Sequence, residues 1–180
     1  LGTNSVDRII RTPDNKLVLE KYEGIRVFDP ETGSISVPSV KGGGDASVFN
    51  AWDSNPAITS NGVMFFTGPT EFYTYDFTSE TLTPLPLDPS IFDVKFDTSF
   101  LGESKYHNAM FFSTEGGVWL LDLTTYDHRL VYRFAEGERL SNQSVSSWVI
   151  DDTGVLWLAH NARGLVGLDA DTFEPLYTLD

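Results

Sequence analysis

At 180 residues, 41% apolar and 13% aromatic, the chain is too apolar for a disordered segment, and no run approaches the roughly 18 apolar residues of a membrane span. A formal net charge of −14 opposes nucleic-acid phosphates and anionic lipid, so neither is an expected partner. With no Cys there is no disulfide framework and no thiolate metal site.

The chain opens without Met or a signal-peptide pattern, which predicts a piece of something longer. VDRIIRT (6–12) and KLVLEK (16–21) read as strands joined at Asp14-Asn15, followed by GIRVFD (24–29) and SISVPSV (34–40). KGGGDASVFNAWDSN (41–55) is a Gly-rich loop. Asn61-Gly62 is a hairpin signal ahead of VMFFTG (63–68) and EFYTYD (71–76). SFLGESKYHNA (99–109) reads as an insertion ending in a loop tip, before AMFFST (109–114) and GVWLLD (117–122). SVSSWVI (144–150), VLWLAH (155–160), GLVGLD (164–169) and EPLYTL (174–179) complete the series.

Two ladders run through these segments. The closing acids Asp29, Asp76, Asp122 and Asp169 are separated by 47, 46 and 47 residues, and the preceding runs start at 16, 63, 109 and 155. Three residues after each acid stands a hydroxyl: Thr32, Ser79, Thr125 and Thr172. A carboxylate that accepts backbone N–H groups two and three residues on closes a turn, so the recurring acids are turn chemistry, not catalytic pairs. Runs such as VMFFT and GVWLL are apolar on both alternating faces, as in sheets stacked face to face. Four-stranded antiparallel sheets at this period are the signature of an all-β fold, a β-propeller. The expected blades are 1–40, 41–88, 89–138 and 139–180. Trp119 and Trp157 are expected beneath neighbouring blades.

The stretch LSNQSVSSWVIDDTGVLWLAHNARGLVGLDADTFEPLY resembles the repeat of the two-component regulator propeller family. The matching positions are Val145, Asp151, Gly154, Leu156, Trp157, Gly164, Leu165, Leu168, Asp169, Thr172 and Phe173. Blade one keeps Val6, Asp14, Leu17, Gly24, Ile25, Phe28, Asp29 and Thr32 but lacks the Trp, while blades two and three match in spacing. The family usually has Gly-Thr where Ala159-His160 stand here. The resemblance implies a sensor: the periplasmic or extracellular part of a bacterial membrane receptor, with a histidine kinase or diguanylate cyclase elsewhere in the protein. It also implies more than four blades, so the end blades are expected to meet either the rest of a longer chain or another copy. A small closed ring is the alternative.

Propeller ligands meet loops at one end of the channel. That makes Trp52 and Asp53, in the Gly-rich loop, and His160 and Arg163, in HNARG (160–164), the candidate contacts for a small molecule or saccharide. Tyr106 and His107, at the opposite end, suit a partner contact. His107, His128 and His160 lack metal-ligand spacing, and no nucleophile elbow, phosphate loop or EF-hand is present. The expectation is a non-catalytic module without cofactor or metal. A carbohydrate-active propeller enzyme and a haemopexin-like interaction module are the alternatives, and the latter ties its ends with a disulfide that this chain cannot make.

Overall fold

The computed structural model describes residues 6–21, 24–50, 56–68, 71–87, 99–114, 116–134, 145–160 and 164–179. These form four four-stranded antiparallel sheets, each with its strands in chain order, as β-propeller blades are built. Blade 1 holds β1 (Arg8–Arg11), β2 (Leu17–Lys21), β3 (Gly24–Asp29) and β4 (Ser34–Ser36). Blade 2 holds β5 (Ala57–Ile58), β6 (Val63–Thr67), β7 (Phe72–Asp76) and β8 (Thr81–Pro84). Blade 3 comprises β9 (Ser99–Glu103), β10 (Ala109–Thr114), β11 (Gly117–Asp122) and β12 (His128–Arg133), and blade 4 comprises β13 (Val145–Ile150), β14 (Val155–His160), β15 (Gly164–Asp169) and β16 (Pro175–Leu179). The expected third strands appear at 24–29, 72–76, 117–122 and 164–169.

The chain divides into two compact units, Leu1–Leu87 and Asp88–Asp180. In the first, Val18 and Ile25 of blade 1 share a core with Met64, Phe66 and Tyr75 of blade 2. Within the Gly-rich loop, Ala46–Asn50 form a short 3-10 turn. Its Phe49 is fully buried and stacks on Phe66 with ring centroids 5.3 Å apart. The loop backbone also presses against β3, because a Cβ at Gly24 would lie 2.0 Å from the Phe49 carbonyl oxygen. Gly24 has φ +98°, a conformation that L side chains rarely adopt, so glycine is required there twice over.

In the second unit, Ala109, Phe111, Val118 and Leu120 of blade 3 cluster with Ile150, Leu156, Leu158, Val166 and Leu168 of blade 4. Two sequence expectations change here. The stretch taken as an insertion (99–109) supplies β9, because Phe100 and Leu101 both find cover in the core. Gly102 of β9 lies under Trp148, where a Cβ would come 2.1 Å from Cζ2 of the indole.

Trp119 and Trp157 are each half-buried and rest on rings of their own sheets. Trp119 stacks on Phe112 at 6.1 Å and Trp157 on Tyr177 at 5.3 Å. For Trp157, no neighbouring blade supplies the expected cover among the described residues. On blade 4 the face carrying Trp157 is open, with Val149 55%, Leu165 37%, Tyr177 51% and Leu179 56% exposed.

Candidate functional site

The repeated acids come first, because their chemistry limits what they can do elsewhere. In every blade the Oδ1 of the closing Asp accepts the N–H groups two and three residues on. The distances are 2.9 and 3.3 Å at Asp29, 2.7 and 3.3 Å at Asp76, 2.7 and 2.8 Å at Asp122, and 3.0 and 2.7 Å at Asp169. The residue four positions after each Asp has positive φ: Gly33, Glu80, Tyr126 and Phe173. The N–H donors of Thr125 and then Thr124 hold the Asp122 carboxyl below its ordinary range, and those of Thr172 and Asp171 do the same to Asp169. The Asp122 and Asp169 carboxylates are ionised turn closers, unsuited to proton transfer near neutral pH.

Blade 3 departs from the repeat at one end, and a cavity of about 650 Å³ opens there within the second unit. One wall is the β9–β10 loop. Ser104 Oγ accepts the N–H groups of Tyr106 and His107, each at 3.2 Å, and so sets the loop's curl. His107 Nε2 then lies 3.1 Å from the Asp171 carbonyl oxygen and 3.4 Å from Asp171 Oδ1. A carbonyl oxygen only accepts, so Nε2 carries a proton in this contact. The His107 ring also packs 5.4 Å from Phe173. The loop sketched from sequence as a free tip is thus tied to blade 4.

The other wall is the β11–β12 turn with the start of β12. Asp127 Oδ2 accepts the Thr125 hydroxyl at 2.9 Å, and Asn108 Nδ2 donates to Thr124 Oγ1 at 2.9 Å, which joins the two walls. The Arg129 guanidinium sits over the Phe173 ring, 5.1 Å from its centroid, as a cation–π pair. Buried Ala109 and Leu120 add an apolar patch to the lining. Asp122, Asp127, His128 and Arg129 complete a lining with both signs of charge.

Of the residues singled out from sequence for ligand contact, Trp52, Asp53 and Arg163 lie outside the described residues. His160 ends β14, 3% exposed, with its ring centroid 4.4 Å from that of Phe134. His107 and His128, separate in sequence, line one cavity. The Asp127-His128-Arg129 run was not legible as a site, although three consecutive ionisable residues directly after a turn were a signal within reach. Among the described residues no cluster of His, Asp and Glu has the makings of a metal site.

No family model matches the chain, and no curated protein does. Solved structures do match. The chain is similar to the extracellular domain of BT4673 from B. thetaiotaomicron, described as a one-component system (TM-score 0.71, 14% identity, 99% of this chain, 24% of that one). It is also similar to the extracellular domain of BT3049 from the same organism, described as a hybrid two-component system (TM-score 0.65, 14% identity, 99% and 25%). Regucalcin from Agrobacterium tumefaciens, described as a calcium-binding protein, matches with TM-score 0.66 and 13% identity over 94% of this chain and 58% of its own. The chain therefore spans about a quarter of the length of the two B. thetaiotaomicron domains. At such identity the likeness is one of architecture, and the architecture is the one expected from the blade-four repeat: this chain shares the β-propeller fold of the extracellular domains of bacterial signalling receptors.

Proposed function

We propose that this chain is a non-catalytic sensing segment from the extracytoplasmic part of a bacterial signal-transduction receptor. The observation that carries the reading is the overlay of 99% of the chain on the BT4673 extracellular domain. Two further facts support it. The recurrent acids are occupied in turns, and no helix of the described residues is long and apolar enough to cross a membrane. In this reading a small molecule or saccharide meets the loops that carry Trp52, Asp53, His160 and Arg163. The open face of blade 4 is covered by a further blade of the same kind, from a longer chain or a second copy.

The test is a topology and signalling experiment on the full-length gene. Alkaline phosphatase fused after residue 180 in the intact protein should be active, as it is only outside the cytoplasm, and deleting blades 3 and 4 should abolish ligand-dependent output. An inactive fusion with an active cytoplasmic reporter would sink the reading, as would turnover of a polysaccharide by the purified chain.

A further inference from the structure

The cavity of blade 3 has a chemistry that the sensing reading leaves unused. Its lining carries one guanidinium and two carboxylates, beside the imidazoles of His107 and His128. Among the described residues Arg129 makes no ion pair, although the chain carries 26 acids against 12 Lys and Arg. It is held instead over Phe173. Among the described residues no acceptor takes its guanidinium N–H groups, which leaves them for a planar acceptor such as a carboxylate. The carboxylates are likewise half used. Asp122 spends Oδ1 on the turn and Asp127 spends Oδ2 on Thr125, which leaves Asp122 Oδ2 and Asp127 Oδ1 without a partner among the described residues.

A dianion such as phosphate would meet one cation and two carboxylates, and repulsion would outweigh attraction. A simple cation would leave Arg129 unmatched and opposed. A zwitterion satisfies both signs: its carboxylate takes the Arg129 edge, and its ammonium lies between Asp122 and Asp127. The Ala109 and Leu120 patch offers cover for an apolar side chain. We propose that the cavity formed by the β9–β10 loop and the β11–β12 turn is a binding site for a free α-amino acid with an apolar side chain. The proposed site uses none of Trp52, Asp53, His160 and Arg163, and its test reads binding directly. A failure there leaves the receptor reading standing, and a failure of that reading leaves the binding result untouched.

The experiment is calorimetric titration of the chain with L-leucine, N-acetyl-leucine and leucinamide. The second lacks the ammonium and the third the carboxylate. Saturable binding of leucine is expected, with each derivative at least about tenfold weaker. Arg129→Lys keeps a cation over Phe173 but removes the fork; it should weaken leucine at least about tenfold and leave leucinamide unchanged. Asp127→Asn should weaken leucine and leave N-acetyl-leucine unchanged. No leucine binding up to roughly 10 mM overturns the proposal. So does equal binding of N-acetyl-leucine, which would mean an anion site, or equal binding of leucinamide, which would mean an apolar cleft. Unaltered leucine affinity in both variants overturns it as well.

Discussion

Asp151 concentrates the donor chemistry that the closing acids share out. Its Oδ2 accepts Trp157 Nε1–H at 2.8 Å, while its Oδ1 accepts the Val155 N–H at 3.0 Å, the Thr153 hydroxyl at 2.7 Å and the Thr153 N–H at 2.8 Å. The indole donor first, then the Val155 amide and the Thr153 hydroxyl, hold its carboxyl far below the ordinary 3.8. The unfolded chain therefore takes up this proton first as the pH falls. The stabilisation from Asp151 is complete above about pH 5 and drains away as the pH drops toward the folded-state value, and Asp122 and Asp169 act in the same direction. Asp151→Asn should lower Tm at neutral pH and flatten the fall in Tm between about pH 5 and about pH 3. Trp157→Phe, which keeps the stack on Tyr177 but loses the donor, should be non-additive with Asp151→Asn in a double-mutant cycle. Additive losses would mean that the indole–carboxylate bond contributes nothing.

At the scale of strands, what the sequence could show depended on punctuation. The third strands of blades 1, 3 and 4 begin at Gly and all four end at an Asp whose turn is closed by its own neighbours, so their limits are local and readable. Strand β9 was hidden because its burial comes from a partner far along the chain. The cavity was hidden for the same reason: its walls are 106–109 and 120–129, and the contact that fixes them runs from His107 to Asp171. Gly102 is the position where this long-range packing can be measured. Gly102→Ala forces a methyl against the Trp148 ring and should destabilise by about 1–3 kcal/mol in urea unfolding, the usual cost of overpacking. Pairing it with Trp148→Leu should recover part of the loss, whereas a neutral Gly102→Ala would show that β9 and β13 pack loosely.

At the scale of the whole molecule, the repeat states what blade 4 is missing. By the period, Phe111 and Val118 correspond to Trp157 and Leu165. The first pair is fully buried, whereas Trp157 is half-buried and Leu165 is exposed. With Val149, Tyr177 and Leu179 they make an apolar surface shaped like the faces that meet a neighbour inside each unit, and such surfaces associate. Light scattering should show concentration-dependent association of the chain at micromolar levels, which Tyr177→Ser with Leu179→Asp abolishes without altering the circular dichroism. A strict monomer at all concentrations would contradict the covered-face reading. The order of pairing has a kinetic consequence too. Among the described residues every hydrogen-bonded strand pair joins strands consecutive in the chain, from β1–β2 to β15–β16. A chain wired in this way never waits for its two ends to find each other. Each hairpin closes over a short loop, contact order stays low for an all-β protein, and a blade can form while the residues after it are still leaving the ribosome.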